Sequence, residues 1–247
     1  MSEDETLAPK TAQETDKPSP WLIPPADRLG FIVGFTLLTL VGNVLFGFLF
    51  RMIAPILPPS IPLGQGGMGA ALFGGVPHPL SSLVIGLLDG LILGLGQGIL
   101  LSRYGPDLLR WASLTAIGSA LLQVSFSLVC LGLRTPPALL PPLLAGTLTL
   151  LIGAMQWQIL RHYVRRSSLW FALYPIAFFL KYPLISGILA LIGLLKGLPV
   201  TTQMQTREIV TAYAGSLIFR GLIPAAGLCA FHRSFRASMD VDPVPVE

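Results

Sequence analysis

The chain of 247 residues is 53% hydrophobic and 11% charged, with a net charge of +4 and a mean hydropathy of +0.72. Soluble globular domains carry about 25% charged residues, so this composition excludes an ordinary soluble enzyme, a disordered protein and a nucleic-acid binder that uses dense basic patches. The apolar segments are long enough to cross a bilayer. They predict an all-α, polytopic membrane helical bundle, with the lipid bilayer as its surroundings and no nucleic-acid partner.

The two ends of the chain are polar. Residues 1–28 are rich in acids and prolines, and they lack the basic start and short apolar core of a signal peptide. They predict a disordered cytoplasmic tail, and 232–247 predicts a second cytoplasmic tail. The transmembrane domain is therefore expected over 29–231.

Six apolar segments predict six membrane spans, each near the roughly 20 residues that a span needs. They cover about 29–51, 81–102, 109–133, 139–161, 168–194 and 208–231. Pro183 leaves open a break in span 5, because proline removes a backbone donor. The loop over about 52–80 is either a lid over an outward-facing cavity or an apolar loop lying on the headgroups.

The basic residues predict the orientation, because cytoplasmic loops carry an excess of lysine and arginine. With six spans, both tails, the 2–3 loop and the 4–5 loop share one side. That side holds ten cations: Lys10, Lys17, Arg28, Arg103, Arg110, Arg161, Arg165, Arg166, Arg233 and Arg236. The other side holds four: Arg51, Arg134, Lys196 and Arg207. Both termini are therefore expected in the cytoplasm.

Span 2 carries a glycine at every fourth position, namely Gly86, Gly90, Gly94 and Gly98. Such a row lets a second helix backbone approach closely, which is how helices associate in lipid. It predicts a helix-packing surface, either central to the bundle or at a dimer interface. The first alternative is favoured, because the adjacent Asp89 needs burial away from lipid.

An offset of 59 residues superposes two copies of the pattern G-x-x-Q-x-x-x-L-x-x-Y-x(6)-W. The matched pairs are Gly94 with Gly153, Gln97 with Gln156, Leu101 with Leu160, Tyr104 with Tyr163, and Trp111 with Trp170. Each copy covers a helical hairpin, over about 81–133 and 139–194. An offset of two spans preserves orientation, so the pattern predicts an internal parallel repeat about an axis along the membrane normal.

The repeated residues have two interpretations. Tyr104, Trp111, Tyr163 and Trp170 are expected as anchors at the cytoplasmic interface, where amphipathic rings prefer to lie. Gln97 and Gln156 either hydrogen-bond to neighbouring helices or contact a ligand.

The segments GLGQGILLSRY (94–104) and GAMQWQILRHY (153–163), each followed by a tryptophan, resemble the duplicated GxxQWxxLR helical hairpins of uncharacterised bacterial, cyanobacterial-type membrane proteins. The resemblance covers about residues 86–180. Only the second copy has the full Gln156–Trp157 pair and Arg161, while the first has Gly98 and Ser102 at the matching positions. The resemblance implies a location in a bacterial plasma (inner) membrane or a thylakoid membrane, and it implies no particular activity.

Several polar residues lie near the predicted midplane. Asp89, Lys181, Arg220, Asn43 and Gln123 all fall within roughly 5 Å of it at about 1.5 Å per helical residue. A charge there costs at least about 2.5–3.5 kcal/mol to insert, so Asp89 is expected to pair with either Lys181 or Arg220. These residues form a polar layer with two possible roles. The layer either serves only to hold the helices together, or its surplus positive charge binds an anion or relays protons.

Ser216 and Tyr213 precede Arg220 on its helix face, and Tyr174 similarly precedes Lys181. These hydroxyl groups are expected to share the hydrogen bonds of the two cations.

Nothing in the chain matches a metal cluster, a phosphate loop or a nucleophile with its base, so no catalytic residue and no metal site is predicted. No cofactor is identified. Cys130 and Cys229 are expected at opposite ends as packing residues. Two non-enzymatic functions remain: an accessory, assembly or scaffold subunit with a membrane-protein partner or self-association, or a small-solute binding or transport component using Asp89, Lys181 and Arg220.

Overall fold

The computed structural model describes residues 20–61, 76–133, 140–193 and 214–233. Within these ranges the regular secondary structure is helical, which confirms the all-α prediction. The helices are α1 Arg28–Ile53, α2 Pro79–Leu101, α3 Leu108–Leu133, α4 Leu140–Tyr163, α5 Leu169–Gly193 and α6 Leu217–Cys229. Short 3-10 turns cover Pro25–Asp27, Ala54–Ile56 and Ser102–Tyr104.

Five of these helices, α1 to α5, are long and apolar enough to cross a membrane by length and composition. α6 is shorter, and the predicted span 208–231 begins outside the described residues. α5 runs without interruption through Pro175 and Pro183, so the alternative of a break at Pro183 is wrong. Packing against α4 and α6 holds this helix together where single backbone hydrogen bonds are lost.

The described helices contact one another in a ring. α1 touches α2, and contacts then follow chain order from α2 to α6, which packs back against α1. The core of the ring is aromatic and aliphatic, and it includes the completely buried side chains of Phe35, Leu160, Trp111, Trp170 and Tyr174. The closed ring brings α2 to α6 around one interior, which positions the polar residues described below.

Three glycines of the α2 row pack on an alanine row of α3, and the fourth, Gly98, packs on Leu108 at the start of α3. A Cβ atom added at Gly86 or Gly90 would lie 2.6 Å from the Cα atom of Ala120 or Ala116, respectively. At Gly94 it would lie 2.7 Å from the Cα atom of Ala112. Backbone atoms cannot yield at such distances, so the close approach depends on the missing side chains. The row is therefore used inside the bundle, as the favoured alternative predicted.

One end of the bundle is closed by segments from three parts of the chain. The N–H of Leu22 donates to the carbonyl of Phe231 at 2.9 Å, and the N–H of Arg165 donates to the carbonyl of His232 at 2.9 Å. Leu22 and Ile23 are completely buried, and the rings of Trp21 and His232 lie 3.8 Å apart. The segments that the charge count placed on one side therefore meet at one end.

This closure corrects the predicted N-terminal tail. Residues 20–28 have a defined structure, with Leu22 and Ile23 completely buried and a 3-10 turn over Pro25–Asp27, so the expectation of disorder is wrong for them. The reason is the apolar triplet formed by Trp21, Leu22 and Ile23, because burial of the last two at the end of the bundle offsets the entropy of ordering. The rest of that tail, and residues 234–247, lie outside the described residues.

The opposite end carries the flanks of the predicted outer loop. Ile61 and Val76 bridge in antiparallel fashion, and Ser81 Oγ donates to the carbonyl of Pro58 at 2.9 Å. Residues 62–75 lie outside the described residues, so the two alternatives for this loop, lid or surface loop, both stay predictions.

Candidate functional site

Asp89 on α2 and Arg220 on α6 form an ion pair inside the bundle. Arg220 Nη1 donates to Asp89 Oδ1 at 2.6 Å, and the two side chains are 19% and 6% exposed for Arg220 and Asp89, respectively. Of the two partners predicted for Asp89, the structure therefore shows Arg220. A close charge-assisted pair of this kind compensates two charges that would otherwise be costly in an apolar interior.

The backbone around Arg220 has its own explanation. Pro224 has no N–H, so it cannot donate to the carbonyl of Arg220 four residues earlier. The segment Leu217–Leu222 is accordingly π-helical, with the N–H of Ile223 donating to the carbonyl of Ile218. The Nε2 atom of the buried Gln97 donates to the Arg220 carbonyl at 2.9 Å. α2 thus holds both the side chain and the backbone of Arg220.

Gln156, the counterpart of Gln97 in the second copy, ties three helices together. Its Nε2 donates to Thr115 Oγ1 on α3 at 2.9 Å, and its Oε1 accepts from Trp170 Nε1 on α5 at 3.1 Å. Thr115 in turn donates to the carbonyl of Trp111 at 2.8 Å. Gln156 is completely buried, so both halves of its amide are used within the chain.

The first copy has the same two residue types, but their hydrogen bond is missing. Gln97 Oε1 and Trp111 Nε1 are both buried, and neither has a hydrogen-bond partner among the described residues. The counterparts Gln156 and Trp170 are bonded to each other. The amide of Gln97 is instead committed to Arg220, so the two copies use one motif for different contacts.

The predicted anchoring role is wrong for the two tryptophans. Trp111 and Trp170 are 0% exposed, and their ring centroids lie 6.3 Å apart in the core. A ring with no accessible surface cannot lie against headgroups. Tyr104 and Tyr163 are half-buried near one end of the bundle, and anchoring stays a prediction for them.

Lys181 on α5 lies among aromatic rings. Its Nζ atom is 3.8 Å from the centroid of Phe178, 5.1 Å from that of Tyr182 and 5.3 Å from that of Phe219 on α6. Across the described ranges it forms no salt bridge, whereas Arg220 takes Asp89. Cation–π contacts are thus the interactions that the structure gives this ammonium group.

The remaining polar candidates are not gathered into this cluster. Asn43 and Gln123 are half-buried, and the described residues give the Nδ2 atom of Asn43 no hydrogen-bond partner. Ser216 precedes α6 without making a side-chain capping hydrogen bond, and Tyr213 lies outside the described residues. The hydroxyl of Tyr174 is buried and has no partner within the part of the chain that the structure describes, so it does not support Lys181 as predicted.

Four contributors were not predicted from the sequence. Thr115 accepts a hydrogen bond from Gln156, and Pro224 lacks the N–H that would otherwise bond to the Arg220 carbonyl. Phe219 faces Lys181, and the alanine row of α3 packs against the glycine row. Two signals were present in the sequence: the spacing of Ala112, Ala116 and Ala120 at every fourth position, and a proline four residues after a charged residue in an apolar segment.

The described residues thus form side-chain hydrogen bonds and one ion pair between helices. They also place the ammonium group of Lys181 against aromatic rings. Among the described residues there is no group of three metal-ligating side chains. The two cysteines, Cys130 and Cys229, are buried and free. No protein-family model, curated protein or solved structure matches this chain.

Proposed function

We propose that this chain is a non-enzymatic accessory, assembly or scaffold subunit of a membrane complex. The ion pair between Asp89 and Arg220 carries the proposal. Asp89 is the acidic residue predicted near the midplane, and its carboxylate is used to hold α2 against α6. Gln97 and Gln156 support it, since their amides also tie helices. The bundle is then a rigid unit whose outer apolar faces are left for lipid or for other membrane helices.

Purification from native membranes tests this proposal. The full chain is tagged, extracted in a mild detergent and passed through size exclusion, and its partners are quantified. We expect one membrane protein at a fixed ratio, and we expect the same ratio when the tag is moved to that partner. A monomer in both preparations would contradict the proposal.

A second candidate function is the binding or transport of a small anionic solute at the layer formed by Asp89, Lys181 and Arg220. The observation in its favour is that the described residues give Lys181 no carboxylate, and ionisable groups within spans are functional by default. Native mass spectrometry of the purified chain separates the two functions. A non-lipid anion that is bound by the natural chain and lost in Lys181→Gln would favour this candidate.

We further propose that the bundle contains a parallel repeat of two hairpins, α2–α3 and α4–α5. Gly94 approaches Ala112, and Gly153 approaches Phe171, so the same pair of repeat positions is in contact in both hairpins at the 59-residue offset. This equivalence supports a duplication in which the second hairpin kept the Gln–Trp bond.

The proposed location is a bacterial plasma (inner) or thylakoid membrane, with both termini in the cytoplasm. The ten-to-four excess of cations supports this orientation. The meeting of residues 20–28, 164–165 and 231–233 at one end of the bundle supports placing the two termini on the same side. A fluorescent protein fused after Glu247 should fold and fluoresce on the cytoplasmic side. Loss of fluorescence combined with activity of a periplasmic reporter at the same position would reverse the orientation.

A further inference from the structure

Lys181 is a cation whose neighbours compensate it only in part. The faces of Phe178, Tyr182 and Phe219 lie within 5.3 Å of its Nζ atom. Aromatic faces attract an ammonium group, but they typically return less free energy than burying a lysine in a membrane span costs. A carboxylate paired with the ammonium group would supply the remaining free energy, and the described residues provide no carboxylate to Lys181.

One side of Lys181 faces outward. Leu184 is 41% exposed one turn further along α5, and Tyr182 is 45% exposed. Lys181 itself is half-buried, because its Nζ atom lies over the buried rings of Phe178 and Phe219 as well as near the exposed ring of Tyr182. Part of the residue is therefore exposed at the outer surface of the bundle. We call this surface, formed by Lys181, Tyr182 and Leu184, the Lys181 face.

We infer that the Lys181 face binds a transmembrane helix of a partner protein that carries an aspartate or glutamate at the depth of Lys181. Charge complementarity selects this occupant, because a carboxylate in the apolar region pairs with a cation. A partner helix fits better than a dissolved anion, since the face lies at the side of the bundle among exposed apolar residues. The inference rests on the proposed function as a subunit, and it names the chemistry of the partner.

Site-directed photo-crosslinking in native membranes tests the inference. Benzoylphenylalanine replaces Leu184 in the full chain, and the crosslinked peptide is identified by mass spectrometry. The matched control places the probe at Leu91, which is 40% exposed on α2, across the ring from α5. We expect position 184 to crosslink to an apolar segment with an acidic residue near its centre, and position 91 not to reach that segment.

Variants of Lys181 then test the role of its charge. We expect Lys181→Met and Lys181→Gln each to lower the crosslink yield about tenfold, which corresponds to about 1.4 kcal/mol, while Lys181→Arg retains it. Lys181→Asp combined with lysine at the mapped acid should restore the crosslink. Two neutral variants are used so that the result does not depend on one of them, and the elution volume of each checks that it has folded.

Several outcomes would overturn the inference. These are a crosslink to a second copy of this chain, to lipid alone, or to residues 201–213 of the same chain, where Glu208 would then serve Lys181. An unchanged yield in both neutral variants would overturn it as well. If the complex still purifies at a fixed ratio, only this inference fails; if no complex purifies at all, the proposed function fails with it.

Discussion

Trp170 donates its indole N–H to Gln156 Oε1 at 3.1 Å. Trp111, at the equivalent position of the other hairpin, has a buried N–H that finds no partner among the residues that the structure describes. Both rings are completely buried and lie against each other. The pair is an internal comparison, because the two positions differ in whether the hydrogen bond is made.

We expect Trp170→Phe to lower the apparent melting temperature more than Trp111→Phe. Both changes remove part of an indole from the core, but only Trp170→Phe removes the donor that bonds to Gln156 Oε1. The two losses in the free energy of unfolding should differ by about 1 kcal/mol, the typical contribution of a hydrogen bond between membrane helices. Thermal unfolding in detergent, followed by size exclusion, measures it. Equal losses in the two variants would show that the Gln156 bond contributes nothing.

Breaking the ion pair should be costly. Asp89→Asn leaves the Arg220 guanidinium buried without its carboxylate, and removing one partner of such a pair costs about 3–5 kcal/mol. The double variant Asp89→Asn with Arg220→Gln should recover most of this loss, because no unpaired charge remains. The yield of folded chain after extraction is measured for the single variant and for the double variant. A double variant as damaged as the single one would argue against a structural role for the pair.

The packing of α2 on α3 predicts a difference between two glycine positions. In Gly90→Ala the new Cβ would lie 2.6 Å from Ala116 Cα and 2.7 Å from the carbonyl oxygen of Thr115, so the helices must separate. We expect a loss of about 1–3 kcal/mol, as for other overpacked interiors. Gly47→Ala is the control, because no atom of the described residues outside its own helix turn lies within 4 Å of a Cβ atom added there. Equal melting temperatures for the two variants would contradict the close approach.

The closure at the end of the bundle predicts that Leu22 stabilises the fold. Leu22 is 0% exposed, so Leu22→Ala should cost about 2–5 kcal/mol, the usual range for a fully buried leucine. Leu29→Ala should cost far less, because Leu29 is 75% exposed. Thermal unfolding of the two variants checks this, and a similar small change in both would indicate that residues 20–28 are loosely held.

The composition and the spacing of apolar residues were enough to predict a helical membrane bundle. Long apolar segments have few alternatives, because every backbone polar group in a bilayer must be satisfied within the chain. The glycine row of α2 was equally readable, since the absence of side chains at every fourth position is a local property of one helix. The need of Asp89 for a cationic partner also followed from the cost of a charge within a span.

The choice of that partner was not contained in the sequence. Lys181 and Arg220 lie at similar predicted depths, and only the ring order of the helices brings Arg220 to within 2.6 Å of Asp89. The same holds for Trp111 and Trp170, whose position next to polar loops favours the membrane interface. They are buried because α3 and α5 both bond to Gln156 on α4, through Thr115 and Trp170, respectively. These contacts join distant parts of the chain.

The low charged fraction, 11% of the residues, can thus be interpreted from the sequence in one respect and only from the tertiary structure in another. By itself the sequence determined that the chain forms apolar helices and that charges within them must be compensated, because these follow from local hydropathy and from the cost of desolvation. The tertiary structure alone decided which charges meet, because that depends on how the helices are arranged. It joined Asp89 to Arg220 and left the half-buried Lys181 against the rings of Phe178, Tyr182 and Phe219.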